Sequence, residues 1–199
     1  INEVSKSYAI NGNMEHIYDN LPYNRDYLAR YTNNNGITVL FSFYYRIIYL
    51  ISGTIPIEAP VILNILFISV SVIFCYLIVK KAFGNFYALI TMILCVLFLP
   101  YYTYCTYFYT DSISMPFVIL SIYLFICGYD SKKILNKIIL FFFSGISCAI
   151  GFELKGSVII ALIAVIVYMI YKGGIKKILL GSGTIIAGFL VIAIAFNGL

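Results

Sequence analysis

The sequence predicts an all-α polytopic membrane protein with about six transmembrane helices, an interfacial juxtamembrane helix and a large outer loop. The first observation is the composition, since 62% of the 199 residues are hydrophobic and 11% are charged. A typical soluble domain carries about 25% charged residues. The second observation is a series of apolar segments of membrane-spanning length. The third is the sorting of lysines and acids into alternate connections, which is typical of multi-pass proteins.

The N-terminal residues 1–36 form the long polar stretch of the chain, rich in Asn, Tyr and charge. Short helical patterns and the turn signal at 33–36 predict an ordered extracytoplasmic loop with one or two short helices. Residues 37–58 are interpreted as a juxtamembrane helix and loop. Arg46 lies at the centre of the apolar part of this region and would be costly in lipid. An interfacial or re-entrant helix is therefore favoured over a membrane span.

Residues 59–199 are predicted to form a transmembrane helical bundle, because helices satisfy their own backbone hydrogen bonds in lipid. Two of the segments are shorter than the roughly 20 residues of a full span, so we expect them to extend into flanking residues or to cross a thinned region. The chain begins at Ile1 and is expected to be a fragment of a longer protein. The apolar segments are 59–79, 86–103, 112–128, 138–153, 156–171 and 178–196.

Charge sorting predicts which side each connection faces. The lysine-rich connections hold Lys80, Lys81, Lys132, Lys133, Lys137, Lys172, Lys176 and Lys177. The other connections hold Glu3, Glu15, Asp19, Asp26, Glu58, Asp111 and Glu153. We therefore expect the lysines in the cytoplasm and the acids on the outer face. Since topology explains the net charge of +5, no nucleic-acid partner is expected. The five cysteines and the single histidine, His16, have no metal-site spacing.

Asp111 and Lys155 are the first two candidate functional residues. Asp111 ends a tyrosine-rich run at the outer end of a helix, where an acid can bind a sugar hydroxyl, a metal or a proton. The alternative is an N-cap for the following helix, and both roles can coexist. Lys155 lies between two apolar segments on the acidic side and could neutralise a lipid-linked phosphate. Its alternatives are an ion pair with Glu153 and snorkelling to the interface.

Three arginines and one further acid complete the candidates. Arg25, Arg30 and Arg46 are placed in the outer or interfacial region, and the guanidinium group suits phosphate or carboxylate. Arg25 and Arg30 could equally pair with neighbouring acids on a solvated helix face. Glu3 is a candidate catalytic carboxylate, with an exposed surface acid as its alternative. Nucleophilic triads, phosphate-binding loops and dinucleotide-binding fingerprints are absent from the sequence.

Four motifs in order resemble the GT-C superfamily of polytopic glycosyltransferases, and in particular the dolichyl-phosphate-mannose-protein mannosyltransferase-like and aminoarabinose transferase-like family. Residues 31–40, with the Phe43-Tyr44-Tyr45-Arg46 cluster and Gly53, resemble its outer-loop element. Residues 80–85 resemble its basic-Phe-Gly turn. Residues 100–116, with Tyr109 and Asp111, resemble its "P…Y-x-D" loop. Residues 151–157, with Lys155, resemble its "G-x-x-x-K-x-[ST]" segment, although Gly156 replaces the usual proline.

The resemblance implies an inverting transfer from a polyprenyl-phosphate sugar donor to a glycan, lipid or protein acceptor on the outer face. A carboxylate acts as general base in such a transfer, and here it is Glu3 or an acid upstream of Ile1. Asp111 would organise the acceptor, or a divalent metal ion where one is used. Lys155 would lie near the donor phosphate. Arg30, Arg46 and Tyr109 are further substrate-binding candidates.

The sequence thus predicts part of a multi-pass plasma-membrane glycosyltransferase, and the composition is typical of an AT-rich bacterial genome. The expected partners are the lipid donor, the acceptor and membrane lipids. Two rival interpretations are a transporter or flippase for lipid-linked glycans and a non-catalytic assembly subunit. A transporter is expected to place charged sites near the bilayer midplane, whereas the polar groups here gather outside the spans.

Overall fold

The computed structural model describes residues 1–12, 30, 34–106, 110–172 and 175–197, with only the backbone described at 175–177 and 197. Within this part of the chain the regular secondary structure is helical, which confirms the predicted all-α class. The helices are α1 (Asn2–Asn11), α2 (Asn35–Ser52), α3 (Ala59–Phe83), α4 (Asn85–Leu97), α5 (Leu99–Cys105), α6 (Thr110–Asp130), α7 (Ile134–Leu154), α8 (Ile159–Lys172) and α9 (Ile175–Asn197).

The predicted set of six spans is refined by the lengths of these helices. Among the described residues, α3, α6, α7 and the stretch Ile178–Phe196 of α9 are long and apolar enough to cross a membrane. α4 and α5 form a fifth span if they are counted together, although they meet at an angle of 52°. The sixth segment, Gly156–Lys172, is apolar and helical but shorter. The chain is therefore a polytopic membrane protein with four to five candidate spans.

Two local breaks explain why the segments at 86–103 and 156–171 do not form full straight spans. Phe98 has an extended backbone (φ −74°, ψ 96°) and Pro100 follows in the first turn of α5. Proline lacks an N–H and its ring clashes with the carbonyl four residues earlier, so α4 cannot continue through Pro100 and a new helix starts there. Lys155 is also extended (φ −154°, ψ 113°). It ends α7 and leaves α8 only 14 residues long.

The centre of the bundle is packed through small residues, as is usual between membrane helices. Ser121 on α6 and Ser144 on α7 exchange hydrogen bonds, each hydroxyl donating to the other residue's carbonyl at 2.9 and 2.8 Å. A side chain on Gly145 would collide with the carbonyl of Ile185 on α9. These contacts hold α6, α7 and α9 side by side.

The N-terminal helix α1 packs on α2, and both join one end of the bundle. Ala9 of α1 and Phe41 and Tyr45 of α2 are buried with Leu63 and Leu154 of the bundle in one apolar cluster. α2 is not among the candidate spans of the described chain. Its exposed apolar residues are Val39, Phe43, Ile47, Leu50 and Ile51. This exposed stripe suits the predicted interfacial helix.

The charges sorted along the sequence lie at opposite ends of the bundle. At one end Lys81 Nζ of α3 lies 3.1 Å from Asp130 Oδ2 of α6. The Tyr129 hydroxyl there donates to the Lys172 carbonyl of α8 at 3.3 Å. We call this the lysine end. Asp111, at the start of α6, marks the other, the Asp111 end. Which end faces the cytoplasm stays a prediction.

Candidate functional site

Asp111 lies in the first turn of α6, which begins at Thr110. The unpaired N–H groups of a helix N-terminus carry partial positive charge, so a carboxylate is favourable there without any other partner. The Ser114 hydroxyl donates to the Asp111 carbonyl at 3.1 Å. Its role as a helix cap stays one of the two predictions for this residue.

Lys155 is positioned by the break between α7 and the 3₁₀ turn Gly156–Val158. Its backbone N–H donates to the Gly151 carbonyl at 2.9 Å, and its carbonyl accepts from the Val158 N–H at 3.0 Å. These two bonds hold the extended residue between helices whose directions differ. Gly36, at the start of α2, packs so closely on the Glu153 carbonyl that a Cβ there would collide with it. The backbone on the N-terminal side of Lys155 is thus supported by α2.

Asp111 and Lys155 form an ion pair, with Lys155 Nζ donating to Asp111 Oδ1. The lysine and aspartate side chains are 31% and 54% exposed. Neither of the sequence alternatives for Lys155, a Glu153 pair or snorkelling, included this partner. Partly exposed ion pairs contribute about 0–1 kcal/mol to stability. The pair therefore contributes little to the stability of the fold.

The ion pair lies on the wall of a cavity of about 630 Å³. The lining is contributed by α3, α5, α6, the 3₁₀ turn and α8. The lining residues are Ile68, Phe98, Tyr101, Tyr104, Asp111, Ser112, Ser114, Met115, Val118, Ile119, Lys155, Ser157, Val158, Ile160, Ala161 and Ala164. The cavity volume falls in the range of small-molecule sites, about 300–1,000 Å³.

Polar and apolar groups are separated along this cavity. Asp111, Ser112 and Ser114 lie at the start of α6, and Val118 and Ile119 follow about one to two turns further along the helix. On the facing side, Lys155 and Ser157 precede the apolar lining residues of α8. A cavity that is charged at one end and apolar at the other fits an amphiphile. An anionic head would meet the lysine, and a hydrocarbon chain would lie along α6 and α8.

Sequence reasoning missed several lining groups. Tyr101, Tyr104 and Ser112 all line the cavity, but none of them was singled out as a candidate from the sequence. The break at Phe98 turns α5 so that both tyrosines line the same cavity as Asp111. A proline in the first turn of the new helix is the signal that could have indicated this change of direction.

The remaining predicted site residues have other surroundings. The Arg46 guanidinium donates to the carbonyls of Ala9, at 2.7 Å, and Ile10, at 3.4 Å, near the C-terminal end of α1. Glu3 lies in the first turn of α1 with its side chain 70% exposed, 3.5 Å from Lys6 Nζ. Neither residue lines the Asp111–Lys155 cavity. Roles for both in substrate binding or catalysis stay predictions.

Three further candidates, Arg30, Tyr109 and Arg25, lie in or beside stretches of the chain that the structure does not describe. Arg30 is exposed and has a helical backbone, and its neighbours in sequence are not described. Tyr109 and Arg25 lie outside the described residues. Within the described ranges, no three His, Cys, Asp or Glu side chains lie close enough together to hold a metal ion. The divalent ion considered from the sequence has no such ligand set there and stays untested.

The fold and this cavity define a multi-pass helical membrane protein with a charged site at one end of its bundle. Residues 38–198 match the family model described as dolichyl-phosphate-mannose-protein mannosyltransferase. The chain therefore belongs to that family of membrane glycosyltransferases, which confirms the family resemblance of the motifs. Asp111, Lys155 and Arg46 lie within the matched residues, whereas Glu3 and Arg30 lie outside them. Comparisons with curated proteins and with solved structures gave no match.

Proposed function

We propose that the protein is a GT-C type glycosyltransferase that transfers a sugar from a polyprenyl-phosphate donor to an acceptor at the Asp111 end of the membrane. The observation that carries this proposal is the Asp111–Lys155 ion pair on the wall of the apolar cavity between α6 and α8. A lipid-phosphate donor has the same division into an anionic head and a hydrocarbon tail. Family membership supports a transferase rather than a passive lipid site.

Lys155 is the proposed phosphate-binding residue. Its ammonium group is a compact charge with three donors, which suits an anion at the leaving group. In the resting protein Asp111 holds this ammonium at the cavity wall. When the donor binds, its phosphate contacts the Lys155 ammonium either together with Asp111 or in place of Asp111. The same cation then stabilises the negative charge that develops on the phosphate as the glycosidic bond breaks.

Asp111 is the proposed organiser of the acceptor. Its carboxylate accepts hydrogen bonds and lies beside the hydroxyl groups of Ser112 and Ser114. For the transfer to be inverting, a sugar or amino-acid hydroxyl bound there would have to attack the donor carbon from the side opposite the phosphate. In the reaction the acceptor oxygen forms a bond to that carbon, and the carbon–phosphate oxygen bond breaks. The acceptor proton passes to a carboxylate base, for which Glu3 is the candidate in this chain.

The proposal extends to the setting of the reaction. The positive-inside pattern assigns the lysine end to the cytoplasm and the Asp111 end to the outer face. The acceptor is a glycan, lipid or protein of the cell surface, and the membrane is a bacterial plasma membrane. Within the described spans the charged residues lie near the helix ends. A transporter is expected to carry charged sites at the midplane, so catalysis at the surface is favoured.

The testing experiment measures sugar transfer by the full-length protein in membranes from a labelled polyprenyl-phosphate sugar. Asp111→Asn and Lys155→Ala are each expected to be at least about 100-fold slower than wild type, as for the loss of a positioned electrostatic group. The matched controls are Asp130→Asn and Lys81→Ala, which break the ion pair of equal exposure at the lysine end. We expect both controls to transfer at close to the wild-type rate.

Three results would count against this function. If membranes with the wild-type protein consume a panel of such donors no faster than membranes without it, a transporter is favoured over a glycosyltransferase. If Asp111→Asn transfers normally, Asp111 only stabilises the start of α6. If the control variants lose as much activity as the site variants, the loss reports general damage to the bundle. The amount of folded protein, measured by monodisperse elution in detergent, normalises each rate.

A further inference from the structure

Asn64 is a buried amide in the membrane-spanning helix α3, and its side chain is only 1% exposed. A buried amide is costly unless it is hydrogen-bonded. Its Oδ1 accepts from the Ser112 hydroxyl at 3.1 Å, and its Nδ2 donates to the Cys105 carbonyl at 3.3 Å. One side chain on α3 thus joins two other helices, α5 and α6.

The two partners lie on either side of the segment that leads to Asp111. Cys105 is the last residue of α5, and Ser112 directly follows Asp111 in the first turn of α6. Asn64 therefore fixes the end of one helix and the start of the next against the same point on α3. The position of the Asp111 carboxylate depends on where that first turn lies.

The same two hydrogen bonds connect the walls of the cavity. Tyr101 and Tyr104 of α5 and Ser112 of α6 all line it. If the bonds were lost, α5 and α6 could move independently at this end. The Asp111 carboxylate would then shift relative to Lys155, which is held separately by the α7–α8 break.

We propose that Asn64 is a positioning residue for the transfer reaction and that it acts through Ser112 to place Asp111. This inference rests on the proposed function. Another buried polar side chain of α3 provides the contrast. Ser71 is also 1% exposed, but its hydroxyl donates at 2.8 Å to the Phe67 carbonyl of its own helix. Among the described residues, the Ser71 hydroxyl thus bonds within its own helix, and Ser71 is the matched control.

The test is steady-state transfer kinetics with the labelled lipid donor in the full-length protein. Asn64→Leu is expected to lower kcat about tenfold or more while the KM for the donor stays within about twofold, because the displaced group acts in the transition state. Ser71→Ala is expected to keep both constants. Normal kcat in folded Asn64→Leu would overturn the proposal, and so would a loss confined to KM.

A double-mutant cycle with Ser112→Ala tests the route. If Asn64 acts through the Ser112 hydroxyl, the double variant Asn64→Leu with Ser112→Ala is no slower than Asn64→Leu alone. Losses that simply multiply would show that the two residues act separately, and would overturn the route. Where Asn64→Leu yields little folded protein, Ser112→Ala removes the hydrogen bond between Ser112 and Asn64 with a smaller change. A lower kcat with an unchanged KM for the donor in that variant would then support the proposal, and a normal kcat would overturn it.

A cross-linking measurement separates this proposal from the proposed function. In a background without native cysteines, Asp111→Cys and Lys155→Cys are oxidised together and the rate of disulfide formation is followed. Adding Asn64→Leu is expected to slow the reaction about fivefold, the effect of losing roughly 1 kcal/mol of positioning energy. Adding Ser71→Ala is expected to leave it unchanged. Slowing here, together with no sugar transfer by the wild-type protein, would sink the proposed function and keep the positional link, whereas an unchanged cross-linking rate would overturn the link itself.

Discussion

Among the described residues, each end of the bundle holds one lysine–aspartate ion pair, and the two pairs are nearly equally exposed but have different physical causes. Lys81 and Asp130 are 32% and 54% exposed, and Lys155 and Asp111 are 31% and 54% exposed. Asp130 is the last residue of α6, where the helix dipole disfavours an acid. Lys81 therefore relieves an unfavourable charge at the lysine end.

The Asp111–Lys155 pair does not relieve an unfavourable charge of this kind. Asp111 is already favourable at the start of α6, so Lys155 is not required to stabilise it. Both members of this pair line the larger cavity, whereas Lys81 does not line the cavity of about 380 Å³ beside Asp130. The difference shows that exposure and pairing alone do not mark a site. The candidate site is distinguished by a cation that lines a cavity and that its acidic partner does not need for stability.

The largest expected effect comes from reversing each pair. Asp111→Lys with Lys155→Asp keeps an ion pair but moves the cation to α6, so transfer should fall at least about 100-fold. Lys81→Asp with Asp130→Lys should leave transfer within about twofold, because partly exposed pairs contribute little. Transfer from the labelled donor, normalised to folded protein, measures both. A site-pair reversal that retains full transfer would remove the distinction between the two ends.

An intermediate effect is expected from the support behind Lys155. Gly36→Ala places a methyl group against the Glu153 carbonyl and should displace the backbone that leads to Lys155. A displacement near 1 Å at a catalytic group reduces the rate by about tenfold or more. Gly183→Ala on α9 is the control, since a Cβ there meets nothing within 4 Å.

Kinetics of both alanine variants with the labelled donor would sharpen the comparison of the two ends. Gly36→Ala is expected to lower the rate of sugar transfer without changing the Lys81–Asp130 ion pair at the lysine end. Equal transfer by Gly36→Ala and Gly183→Ala would mean that α2 gives Lys155 no useful support.

The smallest expected effect concerns the α1–α2 unit, which packs on the Asp111 end. The buried Tyr45 hydroxyl donates to Asn2 Oδ1 at 2.6 Å. Tyr45→Phe should lower the free energy of unfolding by about 0.5–1.5 kcal/mol at neutral pH. Transfer per folded molecule should stay close to wild type, because Tyr45 does not line the cavity.

Tyr45 also predicts a pH dependence. Burial, with smaller effects from Tyr44 and Glu3, raises the pKa of Tyr45 above its ordinary value, which is about 10. The unfolded chain then loses the proton first, so the stabilisation is complete below about pH 10 and is lost as the pH rises further. Thermal unfolding in detergent at about pH 8 and about pH 11 would show wild type losing more stability than Tyr45→Phe. An equal loss in both would contradict a contribution from Tyr45.

Some features of this protein are local in sequence and could be predicted without the structure. Long apolar runs must be helices in lipid, and the sorted charges mark two ends whatever the packing. Asp111 and Lys155 were each identified from their place beside an apolar segment. The short apolar run 138–153 was expected to extend into its flanks, and α7 runs from Ile134 to Leu154.

Other features were decided only by tertiary structure, because they depend on residues far apart in the chain. Asp111 and Lys155 are 44 positions apart, and Asn64 and Ser112 are 48 apart. Nothing in either neighbourhood indicates the partner. Arg46 was assigned to phosphate from its charge, but α1 offers carbonyls to it only once α1 and α2 have packed together. Hydropathy thus determines the helices and the sorted charges distinguish the two ends of the bundle, while the pairing of side chains across helices brings the candidate site residues together.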